Sequence, residues 1–304
     1  MSSVIAIVTG ANKGIGRAIV RNLAVEYSKS IYPQTTPKLV IYLTSRDVSR
    51  GMATLAEVTR ELEDKKVLEA EGGPAEIRFG ELDITDSTSV NNFKKTVQNV
   101  CGEVDILINN AALGTEFQGE PFSYEVVEKT LKTNYFGLKN MTELFFPIIK
   151  NPGGRIINLS SGLGRLAALP SKSLRNQFSS QDLTQEQLDR LVNKFQNDVR
   201  AGVYAEEGWP TSGMNKAPWT IAYNVSKLAV VAYTKLLARR LDKEGIMINT
   251  HVVDPGWVRS DMGGENAPLS VDQGAETPVY LALTQDKAIE INGQFWNKKK
   301  PIAW

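Results

Sequence analysis

Val4-Ile5-Ala6-Ile7-Val8-Thr9-Gly10-Ala11-Asn12-Lys13-Gly14-Ile15-Gly16 is the stretch on which the fold turns. Its first five residues are a continuous apolar run, which reads as a buried strand. Glycines follow at 10, 14 and 16, and Ile15, Ile19 and Leu23 then recur at helical spacing. A strand that passes through a glycine turn into a helix is the setting in which glycines serve a phosphate group. The bare backbone lets a pyrophosphate approach, and the helix N-terminus attracts its charge. Gly10, Asn12, Lys13, Gly14, Ile15 and Gly16 are therefore the expected edge of a dinucleotide site.

Working outward, apolar runs recur at residues 38–43, 77–82, 104–108, 155–159 and 247–253, with a short one at 293–296. Strands alternating with helical segments argue for one parallel sheet covered on both faces, and right-handed crossovers wind it in two directions. The expected fold is α/β: a Rossmann-type, doubly wound, mainly parallel seven-stranded sheet with helices on both faces, forming a single domain over residues 1–304.

The chain is 42% hydrophobic and carries 35 Lys and Arg against 34 Asp and Glu, a net charge of +1. That balance provides no field for a polyanion, so no nucleic-acid partner is expected. The run Lys298-Lys299-Lys300 reads as a solvated tail. With one cysteine, Cys101, and one histidine, His251, neither an internal disulfide nor a Cys/His zinc site can form, and no metal is expected. His251 lies within the sixth apolar run and reads as a packed, hydrogen-bonded residue; Cys101 is given no role. No run reaches the roughly 18 apolar residues of a membrane span, and residues 1–8 lack the form of a signal segment. A glycan at the Asn224 sequon would obstruct the reactive pair that flanks it. The expectation is a cytoplasmic protein without a membrane partner.

That pair is Tyr223 and Lys227. Four residues apart on a helix, they share one face. A phenol ordinarily titrates near 10 (about 10 in model peptides), and a neighbouring ammonium favours its ionised form. The spacing thus offers a tuned general acid for a carbonyl oxygen.

With these residues in place, the sequence resembles the short-chain dehydrogenase/reductase family. Thr9-Gly10-x-x-x-Gly14-x-Gly16 matches that family's signature. Asn109-Asn110-Ala111, Lys132-Thr133-Asn134, Ser160-Ser161, Tyr223-x-x-x-Lys227 and Pro255-Gly256 follow in the expected order. Residues 207–210, 255–262 and 274–283 look like the NADPH-dependent carbonyl reductase branch. Ala112 in place of glycine, Ser260 in place of threonine, and an extra stretch at residues 30–37 are departures.

The resemblance implies a catalytic set of Asn134, Ser161, Tyr223 and Lys227. Ser161 would hold the substrate carbonyl, with Ser160 serving the backbone. Tyr223 would give the proton. Lys227 would lower the Tyr223 pKa and fix the nicotinamide ribose. Asn134 would hold a water against Lys227. Asp83 would bond the adenine amino group, with Ile84 beside it and Asn110 lining the adenosine side. Pro255, Gly256, Val258 and Ser260 would hold the nicotinamide end. An acidic residue closing the second strand binds a ribose 2′-hydroxyl, whereas arginine there accommodates a 2′-phosphate. Arg46, aided by Lys13 and an uncharged Ser45, favours NADP(H), although Asp47 could take a hydroxyl instead. Leu163, Trp209, Trp257 and Met262 are the expected walls around a substrate held by Ser161. Aromatic and thioether linings suit a flat or bulky ketone, aldehyde or quinone.

From Ser161 to Tyr223 is 223 − 161 = 62 residues, far longer than is usual in the family. The extra chain is expected at about 167–215. Within it, Thr184 and Gln187 form a capping-box pattern, and Leu188, Leu191, Val192, Phe195 and Val199 make an apolar stripe that stops at Gly202. A helix of this kind would cover the face through which most of the family associates, leaving a monomer; the alternative is a lid over the pocket. The leading expectation for activity is an NADPH-dependent reductase of small carbonyl compounds. A narrower hydroxysteroid or alcohol dehydrogenase is the alternative, and a non-catalytic NADP(H) sensor would have no need of the full catalytic set.

Overall fold

The computed structural model describes residues 3–30, 32, 38–114, 117, 119–212 and 220–304. β1 (Ser3–Val8) leads into α1 (Gly14–Glu26), β2 (Lys38–Ser45) into α2 (Val48–Glu63), and β3 (Ala75–Glu81) into α3 (Ser87–Cys101). After β4 (Ile106–Asn109) come α4 (Tyr124–Leu131), a π-helical turn (Lys132–Gly137) and α5 (Leu138–Phe145). After β5 (Arg155–Leu159) come α6 (Lys172–Phe178), α7 (Gln185–Arg200) and α8 (Ile221–Glu244). The chain closes with β6 (Asn249–Val253), α9 (Val271–Leu283), β7 (Phe295–Asn297) and β8 (Lys300–Ile302).

The sheet order is β3-β2-β1-β4-β5-β6-β7-β8, parallel throughout except for the antiparallel β7–β8 pair. Side chains of a strand alternate between faces, and β1 shows the consequence. Ile5 and Ile7 join the core beneath α3, α4, α5 and α8, while Val4, Ala6 and Val8 join the core beneath α1 and α9. Both faces are thus covered, and the strand order reverses between β1 and β4. Ligands of open α/β sheets bind at the strand C-termini beside such a reversal.

The eighth strand corrects the expected seven, and it also corrects the reading of the lysine run. Lys298 and Lys299 turn the chain back as a two-residue hairpin, and Lys300 opens β8. Lys299 is tied to α9: its N–H donates to Thr277 Oγ1 at 3.1 Å, and its ammonium lies 3.4 Å from Glu276. His251 is packed as expected. Its Nδ1 accepts from Trp296 Nε1, its Nε2 meets the Ile289 carbonyl, and burial pushes its pKa down to about 4.

The insertion between β5 and α8 is helical. Thr184 and Gln187 cap α7 reciprocally, and Leu188, Leu191, Val192 and Phe195 are buried. The apolar stripe faces α4 and α8. Polar ties reinforce the contact: the Tyr135 hydroxyl donates to Asp189 at 2.7 Å, and Lys139 pairs with the same carboxylate at 2.6 Å. Residues 213–215 of the insertion, and the extra stretch at 30–37 apart from Ser30 and Tyr32, lie outside the described residues.

Trp209, expected as a pocket wall, is a core residue of this insertion. Its ring is fully buried, edge-on to Phe178 and tilted against Phe195, and its Nε1 donates to Asp198 at 2.7 Å. The amphipathic α7 needs a large apolar group beneath it, and the chain returning from α7 supplies this one. Trp209→Ala should therefore cost about 3–5 kcal/mol of stability, read by denaturant unfolding. It should leave substrate KM within about twofold of wild type, because distant sites act independently.

Candidate active site

A cleft of about 510 Å³ opens at the C-terminal ends of the strands and is lined by residues from both halves of the sheet. A larger groove of about 780 Å³ lies between α1 and α9, among Arg21, Lys65, Asp272 and Glu276. It contains none of the expected catalytic residues.

The glycine turn is shaped by close approach. Gly10 has φ +62°, and a Cβ there would lie 2.8 Å from the Ala111 Cα; a Cβ on Gly16 would lie 2.5 Å from Asn110 Nδ2. Asn110 Nδ2 donates to the Thr9 and Gly10 carbonyls, at 2.9 and 3.0 Å. Thr9 Oγ1 in turn accepts the Asn110 and Ala111 N–H groups. Asn110 lines the cleft as expected, but its amide holds the glycine turn. The reason is geometric, since the tips of β1 and β4 meet there and leave buried carbonyls that need a donor.

Asn12, Lys13, Gly14, Ile15, Arg46, Asp83 and Ile84 line the same cleft. Asp47 caps α2, accepting the Arg50 N–H and the Ser49 hydroxyl. Its other carboxylate oxygen lies 3.3 Å from Arg50 Nε, so Asp47 is engaged on both sides, and Arg46 and Arg50 both bring guanidinium groups to the β2 end of the cleft. Asp83 Oδ1 accepts both the N–H and the hydroxyl of Thr85, which fixes its carboxylate at the edge of the cleft. The Lys13 ammonium pairs at 2.7 Å with Asp261, a cleft residue from the loop after β6.

The expected nicotinamide-end residues divide. Pro255 and Ser260 line the cleft, as does Met262. Gly256, at φ +83°, turns the chain, and Val258 is buried behind it against Gly274. Beyond this turn Trp257 is 55% exposed, its Nε1 donating to the Gly263 carbonyl at 2.8 Å. Trp257 is thus a brace for its own loop rather than the expected pocket wall, because the left-handed turn at Gly256 sends its ring outward.

Tyr223 and Lys227 occupy the first two turns of α8, a helix buried on nearly every side along residues 221–234. Tyr223 is 8% exposed and Lys227 3%. Lys227 Nζ donates to the Leu159 carbonyl at 2.8 Å and lies 5.5 Å from the centre of the Tyr223 ring. Ser161 caps the turn Gly162–Gly164, its Oγ accepting the Leu163 N–H at 3.2 Å, and it shares a hydrogen bond with Tyr223. Leu163 thereby stands beside the serine. Ser160 Oγ donates to the Lys227 carbonyl at 2.8 Å, so of the two neighbours Ser161 is the one facing the phenol.

Asn134 sits fully buried in the π-helical turn. Its Oδ1 accepts the Leu113 N–H at 2.7 Å; its Nδ2 donates to the Leu113 carbonyl and to Ser226 Oγ. Its side chain ties the segment after β4 to α8, one residue from Lys227.

The electrostatics differ from the simple expectation of a phenol tuned downward. Burial raises the Tyr223 pKa, the Asp254 carboxylate adds to the rise, and the bond with Ser161 opposes it. Burial also draws Lys227 down from 10.5 to about 7. In the free protein the ammonium is itself poorly stabilised, so desolvation outweighs its effect on the phenol.

Sequence reasoning missed Phe117, Gly114 and Asp261 here. Phe117 stands edge-on to the Tyr223 ring, 5.1 Å between centres at 85°. Gly114 lies so close beneath that a Cβ would meet Phe117 and Met262 within 3.0 Å. No periodic pattern marks Phe117. Asp261, which faces Lys13, lies inside the matched stretch after β6 and was readable as the nearest acid.

Comparison with known proteins adds to this geometry. A family model described as short chain dehydrogenase matches residues 42–173. Carbonyl reductase [NADPH] 1 of Sus scrofa is 38% identical over 303 residues, covering 99% of this chain and 94% of the relative. The Homo sapiens protein of the same name is 37% identical, covering 99% and 98%. Among solved structures, salutaridine reductase from Papaver somniferum superposes with a TM-score of 0.76 at 24% identity, covering 98% of this chain and all of the other.

The depressed Lys227 gives a signed prediction. Between about pH 7 and 10.5 the unfolded chain holds a proton on this lysine that the folded chain has released, so stability rises with pH across that window. The penalty of the buried charge is complete below pH 7 and absent above 10.5, a swing on the order of 4–5 kcal/mol. Lys227→Met should lose this slope. Urea unfolding of both proteins at pH 6, 8 and 10 should show the stability difference moving toward wild type as pH rises; parallel profiles would contradict the assignment.

Proposed function

The chain belongs to the short chain dehydrogenase family, and from that membership we propose that it is an NADPH-dependent carbonyl reductase acting on ketones, aldehydes or quinones. The observation that carries the reading is that Tyr223 and Lys227, one turn apart on α8, both line the cleft, with Ser161 hydrogen-bonded to the phenol.

The donor set fits NADP(H). The glycine turn leaves room within the cleft, since a Cβ on Gly14 would meet only Ser260, at 3.7 Å; Lys13 and Arg46 bring cations to the adenosine end, and Asp47 is engaged as a helix cap. When bound, NADPH supplies the hydride for the carbonyl carbon. Arg46 offers two parallel N–H donors to a 2′-phosphate, a grip that lysine cannot reproduce. Ser260 and the backbone around Val258 would hold the carboxamide, and Asp83 would meet the adenine.

Ser161 Oγ donates to the substrate oxygen and orients it toward Tyr223. The phenol then transfers its proton to that oxygen as the alkoxide develops. Its high pKa in the free protein keeps the proton in place until substrate arrives, and a charged Lys227 stabilises the phenolate left behind. Asn134, one hydrogen bond from Ser226, is assigned the water that returns the proton from solvent. Phe117, Leu163 and Met262 form the apolar side of the substrate space.

We further propose a cytoplasmic monomer. Support comes from α7, whose apolar stripe occupies α4 and α8, and from the ties of Asp189 to Tyr135 and Lys139. These are the helices that a second subunit would otherwise need.

Two measurements bear on this reading. NADPH oxidation followed at 340 nm with a panel of ketones and quinones should reveal turnover. Tyr223→Phe and Ser161→Ala should each reduce it by roughly 10²–10⁴-fold, and Ser160→Ala much less. Normal turnover in Tyr223→Phe would refute the mechanism. Light scattering at micromolar concentration should return a mass near 33.5 kDa, and a stable dimer or tetramer would refute the monomer.

A further inference from the structure

The segment beyond β7 reaches the loop that carries Ser161, and the proposed chemistry makes no use of it. Two features bring it there. Lys298 and Lys299 both adopt left-handed φ, 48° and 59°. Two-residue hairpins require that conformation, but Asn and Gly provide it with far less steric conflict than lysine. Strain of this kind persists where the surroundings fix it. Here the Lys299 N–H is held by Thr277 Oγ1, β8 pairs with β7, and Ile302 and Trp304 pack against the core beneath α8.

The hairpin delivers Trp304 to the serine turn. Its Nε1 donates to the Gly164 carbonyl at 2.9 Å, and the Lys235 ammonium of α8 stands 5.7 Å from the ring centre. Gly164 closes the turn that Ser161 begins: its N–H donates to the Ser161 carbonyl at 2.9 Å. On its inner side Gly164 is pressed against α8 and β5. A Cβ there would lie 2.7 Å from both the Lys227 carbonyl oxygen and Ser160 Oγ. The turn therefore cannot move inward, and the indole opposes movement outward.

We infer that Trp304 is a positioning residue: by holding the Gly164 carbonyl, its indole N–H sets the turn Ser161–Gly164 and with it the direction of Ser161 Oγ toward Tyr223. This rests on the reading of Ser161 as the group that holds the substrate oxygen. A hydroxyl displaced by a fraction of an ångström still folds and still binds, but it meets the developing charge less well.

The test is a double-mutant cycle in the full chain. Trp304→Phe keeps the ring and deletes the donor. It should lower kcat for carbonyl reduction by roughly 10-fold, with NADPH affinity unchanged by fluorescence titration, since the glycine turn is remote. In a Ser161→Ala background the same change should cost under about twofold, because a group that acts through the serine has nothing left to position. Trp304→Ala should be worse in kcat, and thermal melting separates any loss of folding from loss of turnover. An equal factor in both backgrounds, or a Trp304→Phe enzyme with wild-type kcat beside an inactive Ser161→Ala, would overturn the clamp alone. A Ser161→Ala enzyme with full turnover would overturn the serine assignment and the clamp together.

Discussion

The meeting of β1 and β4 is the constraint on which the rest of the structure depends. Two parallel strand tips end side by side and their chains leave in opposite directions, exposing carbonyls with no strand to pair them. Asn110 answers the Thr9 and Gly10 carbonyls, Thr9 answers the Asn110 and Ala111 N–H groups, and the backbone of Gly10 comes within contact of Ala111. Only a chain without side chains at 10 and 16 can close this knot. Once closed, it aims the N-terminus of α1 into the cleft and fixes the end of β4, from which the path to Leu113 and Asn134 begins. The glycine turn and the floor of the cleft are thus two consequences of one junction.

Burial of the Tyr223–Lys227 pair follows from the covering of α8. A helix exposed on one side would leave Lys227 its water. Here α7 packs on the outer side and the sheet on the inner, so the ammonium has the Leu159 carbonyl as its hydrogen-bond acceptor and its pKa falls to about 7. A buried cation with so little compensation favours an anionic neighbour.

Much of this was legible in the chain because it follows from local rules. The glycine turn, the alternation of strands and helices, and the capping box at Thr184 each depend on residues within one turn or one strand. What escaped depends on direction. Trp209 and Trp257 are alike in composition, yet one is drawn beneath α7 and the other is turned outward by a left-handed glycine. Asn110 was placed at the cleft, but the orphaned carbonyls that claim its amide belong to a strand about a hundred residues away. β8 was missed because lysines occupy a turn in which Asn and Gly are the readable signal. Phe117 lies on a loop and carries no period at all.

The insertion connects these scales. Asp189 of α7 holds Tyr135, the neighbour of Asn134, and Lys139 one turn further on. The π-helical turn that carries Asn134 is therefore gripped from outside by α7 and from inside through Leu113 and Ser226. A π-turn places an extra residue in the helix and is less stable alone than the regular form, so it needs such support from both sides. A second subunit packed on α4 and α8 could give the same support to its neighbour. In this chain the added helix gives it from within the same subunit.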